Sequence, residues 1–129
     1  MQDQHQNIQS YRDLTVWQHA MEVVTTVYRL TKKFPEDEKY GLTSQMRRSA
    51  VSIPSNIAEG RSRNSRKDFV QFLHVALGSL SELETQLEIA FQISYVEKVE
   101  YTELMSGLER TKMMLFRLIA SLKAKTEKH

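Results

Sequence analysis

The sequence predicts an all-α protein, folded as an antiparallel up-down-up-down four-helix bundle, and three observations lead to this prediction. Four stretches of the chain repeat apolar residues three and four positions apart, which gathers them on one face of a helix. No stretch alternates apolar and polar residues as a half-buried strand does. Glycine and proline are scarce, with four and two copies in 129 residues, which favours few, long helices. Short connections make neighbouring helices antiparallel, and four amphipathic helices then close into a bundle.

The first helix is predicted over residues 15–34. Its apolar face consists of Val16, Ala20, Val23, Val27, Leu30 and Phe34. Pro35 disfavours helix for the residue before it, and the charged run 36–41 ends in a glycine, so a connection is expected here. A second apolar stripe makes the face wider than that of a helix with one solvated side. We expect this stripe to contact another copy of the chain, and it consists of Trp17, Met21, Val24 and Tyr28.

The second helix is predicted between residues 42 and 60. Its apolar face consists of Leu42, Met46, Ala50, Ile53 and Ile57. Thr43 is expected to cap the start of the helix, and Gly60 to end it in a left-handed conformation. Pro54 lies inside, where proline removes the hydrogen bond to the carbonyl of Ala50 at a cost of about 3 kcal/mol. We therefore expect a kink at this point.

The third helix is predicted over residues 67–93. Ser65 and Asp68 have the spacing of a capping box just ahead of an apolar run. That run alternates gaps of four and three, which is the repeat of a coiled-coil-like seam. Gly78 lies inside the helix, where we expect it to let a neighbouring backbone approach closely.

The fourth helix follows a connection over residues 94–99. The same spacing of apolar residues runs from Leu104 to Leu122. The polar ends of the chain, residues 1–10 and 123–129, are expected to be frayed tails. The length fits a single domain over residues 1–129.

Composition limits the classes of protein to which the chain can belong. The absence of cysteine excludes disulfides, thiolate nucleophiles and cysteine-ligated zinc, and it fits a reducing cytoplasm. Ile8 is the one large apolar residue of the first ten, so a signal peptide is not expected. No window approaches the run of about 20 apolar residues that a membrane helix needs. We therefore expect a cytoplasmic protein with no membrane partner.

Signatures of catalysis and of metal binding are absent from the sequence. Di-iron bundles carry Glu-x-x-His motifs, but His19 and His74 have Val16 and Gln71 at the required offset. His19 and Glu22 lie one helical turn apart, and a surface or boundary position explains this pair better than a metal. There is no nucleophile elbow, glycine-rich phosphate loop or His-Glu-x-x-His motif. We therefore expect no enzymatic activity, no metal and no cofactor.

Charge is unevenly distributed along the chain, although the net charge is only +2. Residues 82–109 are acidic, whereas in residues 47–67 a single acidic residue, Glu59, stands against six basic residues. These six are the candidate nucleic-acid-binding residues Arg47, Arg48, Arg61, Arg63, Arg66 and Lys67. Arginine suits RNA because its planar guanidinium binds phosphate in a bidentate manner and stacks on exposed bases.

Residues 47–61 allow a structural interpretation as well as a functional one. A polar stripe opposite the apolar face of the second helix contains Arg48, Ser52, Ser55 and Glu59. A solvated surface with local ion-pair partners explains this stripe, and so does a basic face for phosphates. Asn56 lies at the edge of the apolar face, where we expect it to bind backbone freed by the kink at Pro54 rather than a ligand.

Several motifs occur together in an order characteristic of one family. They are Tyr11-Arg12-Asp13-Leu14, Tyr40-Gly41-Leu42-Thr43, the proline-centred run Ser52–Gly60, Gly78-Ser79 and Glu82-Leu83-Glu84. In these motifs the sequence resembles the bacterial four-helix-bundle family first met in the intervening sequences of 23S ribosomal RNA genes. The motif residues expected to have a structural role are Ser52, Pro54, Asn56, Glu59 and Gly60. More distantly, the chain is similar to the accessory protein of diversity-generating retroelements.

The family resemblance implies a homo-oligomeric ring, a pentamer, and the more distant similarity implies a basic surface that binds nucleic acid. Our leading hypothesis is a non-enzymatic oligomer that binds structured RNA or an RNA–protein complex through the six basic residues. Charge reversal of Arg47 and Arg48 is then expected to weaken binding and to flatten its salt dependence. The alternative is a protein–protein adaptor that docks a nucleic-acid-processing protein and has no RNA affinity of its own.

Overall fold

The computed structural model describes residues 10–127, and within them the chain is entirely helical, with no strand. The four helices are α1 Thr15–Thr31, α2 Leu42–Arg61, α3 Arg66–Gln92 and α4 Lys98–Glu127. Two 3-10 turns, Tyr11–Asp13 and Glu36–Glu38, precede α1 and α2. Most of the expected N-terminal tail, and residues 128–129, lie outside the described residues. Residues 123–127 belong to α4.

The helices pack as an antiparallel bundle in which α1 contacts α2 and α4, and α3 contacts the same two helices. One side-chain contact marks each of the four pairs: Arg47 with Thr31, Ser79 with Ser52, Lys112 with Glu84, and Lys33 with Glu100. In each case the two residues lie at matching levels of neighbouring helices, with Lys33 just after the end of α1. The predicted all-α class and the four helices are therefore confirmed.

The hydrophobic core lies on the predicted apolar faces. Every residue of the first predicted face is buried, and so are Met46, Ala50, Ile53 and Ile57 of α2. The seams of α3 and α4 meet them from the other side, with Leu73, Leu80, Leu83, Leu87, Leu108 and Leu115 fully buried. Thr111, also fully buried, donates its hydroxyl hydrogen to the Gly107 carbonyl at 2.9 Å. This polar residue is tolerated in the seam because a backbone carbonyl of its own helix accepts its hydrogen bond.

The predicted end of α1 is three residues too late. The helix ends at Thr31, and Phe34 closes a tight turn by donating its backbone N–H to the Thr31 carbonyl at 3.1 Å. Phe34 is nevertheless buried, and its ring centroid lies 5.2 Å from that of Tyr95. Pro35 explains the difference, because the residue before a proline avoids the helical conformation.

The prediction that Thr43 caps α2 is wrong. The helix begins at Leu42, Thr43 is buried in its first turn, and the cap comes from Glu38 in the preceding 3-10 turn. Glu38 Oε1 accepts a hydrogen bond from the Leu42 N–H at 2.9 Å, and Glu38 Oε2 accepts one from the Tyr95 hydroxyl at 2.9 Å. These bonds, the backbone one first, hold the pKa of Glu38 below its ordinary value.

The predicted roles of Gly60 and Gly78 are also wrong. Gly60 lies inside α2 without a positive φ, and a Cβ there would come within 2.8 Å of Phe69 Cδ1 and of Phe72 Cβ. Gly60 therefore provides the close approach of α2 to α3 that was expected of Gly78. Gly78 is exposed, and nothing lies within 4 Å of a Cβ built on it. The helix α2 runs unbroken through Pro54, which is buried.

No helix within residues 10–127 is long and apolar enough to cross a membrane.

Candidate nucleic-acid interface

The six candidate basic residues fall into two groups. Arg47 and Arg48 lie in the first half of α2, whereas Arg61, Arg63, Arg66 and Lys67 surround the connection between α2 and α3. The thirteen residues from Arg48 to Arg61 correspond to about 20 Å along the helix axis. The structure therefore does not bring the six residues together into one patch.

Arg47 braces the end of α1. Its Nε donates a hydrogen bond to Thr31 Oγ1 at 2.8 Å, and its guanidinium carbon lies 4.5 Å from the centroid of the Tyr28 ring. One of its terminal nitrogens lies 3.5 Å from the Tyr28 carbonyl oxygen. A cation near the C-terminus of a helix is favoured by the helix dipole. These contacts give Arg47 a structural role that needs no ligand.

Arg48 is exposed one position further along α2, where it forms a hydrogen bond to the Gln45 side chain. The polar stripe on which it was predicted to lie is not uniformly solvated. Ser52 is half-buried because it faces α3, whereas Glu59 is exposed and forms an ion pair with Arg63 at 2.8 Å. Arg48 and Glu59 therefore each have a local partner, as the structural interpretation of this stripe expected.

We define the basic corner as Arg61, Arg63, Arg66 and Lys67. Arg61 is half-buried in the last turn of α2 and has a contact of its own. Arg63 follows in the connection, where its guanidinium carbon lies 4.8 Å from the centroid of the Phe72 ring. Arg66 and Lys67 are exposed in the first turn of α3. The corner thus displays four cations within seven residues.

The start of α3 is an unfavourable place for positive charge. A helix N-terminus carries a partial positive charge, so acidic residues stabilise the first turn and basic residues do not. Ser65 Oγ accepts the backbone N–H of Asp68 at 3.1 Å, and these two residues supply the expected N-terminal signal. Arg66 and Lys67 lie between these two residues, where their positive charges interact unfavourably with the helix dipole. The stability of α3 therefore does not explain why two basic residues occur here.

The proline-centred motif holds α2 against α3. Ser79 donates its hydroxyl hydrogen to Ser52 Oγ at 2.7 Å, and Asn56 Nδ2 donates to Ser52 Oγ at 3.0 Å and to the Ser52 carbonyl at 2.8 Å. Asn56 therefore binds backbone, but not the Ala50 carbonyl that Pro54 leaves free. The close packing of Gly60 on Phe69 adds to the same contact. The motif supports the position of the basic corner without belonging to it.

Three of the four residues predicted to meet another copy of the chain, Trp17, Met21 and Val24, line an apolar groove between α1 and α2, and Tyr28 lies outside it. Met21 and Tyr28 are 37% and 42% exposed, and Trp17 and Val24 are half-buried. The groove, about 290 Å³ in volume, continues over Pro54 and Val51 of α2. Sequence reasoning missed Val51, which is 40% exposed, although an apolar residue on the polar side of α2 was a signal for it.

Among residues 10–127, no three histidine, aspartate or glutamate side chains are placed to hold a metal ion. His19 Nδ1 lies 3.9 Å from Glu22 Oε1, at a shallow groove between α1 and α4 that Arg29 and Arg110 also line. This pair is the one that the sequence placed at a surface or boundary position.

Together, these features define a four-helix-bundle protein with a basic corner at the α2–α3 connection and an apolar groove between α1 and α2. The chain belongs to the 23S rRNA-intervening sequence protein family, whose model matches residues 12–117. The family that the motifs indicated is therefore confirmed.

One solved structure is similar to this chain over most of its length. It is the crystal structure of a protein with unknown function from the S23 ribosomal protein family of Bacteroides thetaiotaomicron. The two chains are 25% identical and superpose with a TM-score of 0.74, over 81% of this chain and 98% of the other. Comparison with curated proteins gave no match. The similarity supports the bundle over nearly the full length of the relative.

Proposed function

We propose that the protein is a non-enzymatic homo-oligomer that binds structured RNA, or an RNA–protein complex, through the basic corner. The observation that carries this proposal is the exposed pair Arg66 and Lys67 in the first turn of α3. These cations cost stability where they stand. Phosphate groups would offset that cost, because they are anionic and accept hydrogen bonds from arginine and lysine. The name of the family links it to the intervening sequences of 23S rRNA.

Arg63 fits the same role because its guanidinium group lies beside Phe72 of α3, the helix that begins with the exposed pair. Its ion pair with Glu59 is solvent-exposed, with 45% and 52% of the two side chains accessible. Such pairs contribute at most about 1 kcal/mol, so a phosphate can replace the carboxylate at little cost. Arg47, by contrast, is already engaged with α1 and contributes least to the proposed surface.

Assembly into a ring of identical subunits would strengthen binding by a single weak corner. The groove lined by Trp17, Met21 and Val24 supports assembly, because exposed apolar surface of this kind commonly marks a protein interface. Several copies of the corner on one particle can raise avidity by orders of magnitude when an RNA reaches more than one of them. Five subunits, as the resemblance implies, is the number we propose.

The test is a fluorescence titration of a labelled, structured ribosomal RNA fragment with the purified full chain, repeated at several salt concentrations. We expect the logarithm of the association constant to fall linearly with the logarithm of the salt concentration, because each contacted phosphate releases counterions. A duplex DNA of matched length is the control, and weaker binding to it is expected. Absence of RNA binding at low salt would overturn the proposal and favour the protein–protein adaptor, which contacts nucleic acid only through its partner.

A further inference from the structure

One end of the bundle gathers more positive charge than the basic corner alone. Because neighbouring helices are antiparallel, the α2–α3 connection lies at the same end as the start of α1 and the last turns of α4. The segments at this end, residues 10–15, 58–68 and 117–127, contain eight basic and four acidic residues. Four of these basic residues are outside the corner, and they are Arg12, Arg117, Lys123 and Lys125.

The register of α3 and α4 places the end of α4 beside the start of α3. Lys112 Nζ lies 3.0 Å from Glu84 Oε2, which fixes these two residues at similar levels. From Glu84 back to Arg66 the helix rises about 27 Å, and from Lys112 on to Lys125 it rises about 20 Å in the same direction. Lys125 and Arg66 therefore lie within about 10 Å of each other along the bundle axis, and both side chains are exposed.

Arg117 continues the same end toward α1. Arg110 lines the groove between α1 and α4 together with His19. Arg117 comes seven residues, or about two turns, after Arg110, so it projects from the same face of α4 and approaches the start of α1. Arg12 lies in the 3-10 turn at that start, with its guanidinium carbon 5.7 Å from the centroid of the Tyr11 ring. Both arginines are exposed.

The opposite end of the bundle has a net negative charge. Residues 32–41 and 93–103, which lie at this end, contain six acidic and four basic residues. RNA approaching the protein is repelled from this end and attracted to the other, because the potential of the whole surface steers a charged partner.

We propose that RNA binds across the whole basic end of the bundle, with Lys123 and Lys125 of α4 contacting phosphates beside the basic corner and Arg117 contacting phosphates farther along α4, toward the start of α1. This inference rests on the proposed function and adds α4 to it. Cations on three separate chain segments match the spaced phosphates of a folded RNA better than a single small anion. The RNA therefore lies over the end of the bundle and not along one helix.

The stability of α4 accounts in part for the basic residue at position 125. Lys125 lies in the last turn of α4, where the helix dipole favours a cation. The same reason does not apply to Arg117, which is about ten residues before the helix end. The test must therefore measure RNA affinity and folding independently.

The experiment compares two double variants of the full chain. Lys123→Gln with Lys125→Gln removes two charges from the basic end, and Lys32→Gln with Lys98→Gln removes two exposed lysines from the opposite end. For the first variant, we expect the slope of log affinity against log salt to shrink by about 1.4–1.8, which corresponds to two lost phosphate contacts. Its affinity for the labelled ribosomal RNA fragment should fall about tenfold at low salt. The control should retain the wild-type slope, and circular dichroism should show the same helix content in both.

A second matched pair tests Arg117. Arg117→Gln and Arg110→Gln change the same residue type on the same face of α4, about 10 Å apart along the axis. We expect a slope reduced by about 0.7–0.9 for Arg117→Gln alone.

Each outcome decides the inference. Losses of RNA affinity and of salt slope that are confined to the Lys123, Lys125 and Arg117 variants support the inference. If wild-type protein binds RNA but these variants bind as it does, α4 is not part of the surface, and the proposed function stands on the basic corner alone. Equal losses in both members of each pair would mean that only net charge matters, and this would overturn the inference. Absence of wild-type binding would overturn it together with the proposed function.

Discussion

The guanidinium group of Arg47 packs over the ring of Tyr28, with 4.5 Å between its central carbon and the ring centroid. Its Nε also donates a hydrogen bond to Thr31. We expect Arg47→Ala to lower the free energy of unfolding by about 1–3 kcal/mol, since it removes a cation–π contact and a partly buried hydrogen bond. Urea unfolding measures this loss. Arg48→Ala, on the exposed side of the same turn, should change it by no more than about 0.5 kcal/mol. Equal losses would contradict the bracing role of Arg47.

This contact shows why helical periodicity does not distinguish among the six candidate cations. Arg47 and Arg48 are adjacent and chemically identical, and the pattern of the helix alone does not say that one of them reaches back to α1. The residues that decide this, Tyr28 and Thr31, lie sixteen or more positions away in the sequence. Tertiary contacts of this kind are not visible in helical periodicity.

A pair of glycines provides the sharpest test of the packing. We expect Gly60→Ala to destabilise the protein by about 1–3 kcal/mol, because the added methyl group would lie 2.8 Å from Phe69 Cδ1 and from Phe72 Cβ. Gly78→Ala should instead stabilise it by up to about 1 kcal/mol, because the position is open and alanine favours helix. Thermal unfolding at one fixed protein concentration measures both. The two variants shifting in the same direction would contradict the assignment of close packing to Gly60.

The pH dependence of stability should report the cap of α2. Hydrogen bonds from the Leu42 N–H and the Tyr95 hydroxyl hold the pKa of Glu38 below its ordinary value of 4.5. A carboxyl group with a depressed pKa in the folded state stabilises the protein above its unfolded pKa, and this contribution is lost as the pH falls through the folded pKa. We therefore expect Glu38→Gln to reduce the loss of stability that wild-type protein shows below about pH 4.5.

The control for this prediction is Glu36→Gln, which removes the same charge from the same turn without touching the bonds to Leu42 and Tyr95. Thermal unfolding between pH 3 and pH 7 compares the three proteins. Identical acid profiles for wild type and Glu38→Gln would show that the cap contributes nothing to acid sensitivity.

Assembly should depend on the groove between α1 and α2. We expect Val51→Glu to dissociate the oligomer, because a buried interface disfavours an unpaired charge, and to leave helix content unchanged, because Val51 is exposed in the single chain. Light scattering after size-exclusion chromatography gives the mass. Val99→Glu, on an exposed residue of α4, is the control. A wild-type protein that is monomeric, or a Val51→Glu protein that stays assembled, would contradict this role of the groove.

Sequence periodicity was most informative for the core and least for the ends and surfaces of the helices. Most buried apolar positions of the four helices follow from apolar spacing, because one face must leave water in any bundle, whereas buried polar residues such as Ser49 and Ser79 do not. The cap of α2 did not follow, since Glu38 acts from outside the helix and Tyr95 holds it from a distant connection. The position of Lys125 at the basic end was also missed, because only the antiparallel return of α4 brings it beside the basic corner.

The most direct test of the central claim is RNA binding by the Arg66→Gln, Lys67→Gln double variant, titrated with the labelled ribosomal RNA fragment at several salt concentrations. Binding through the basic corner predicts a slope of log affinity against log salt that is smaller by about 1.4–1.8 than that of wild type. It also predicts unchanged or higher thermal stability, because the start of α3 loses two unfavourable charges. An RNA affinity and a slope equal to those of wild type would contradict the claim.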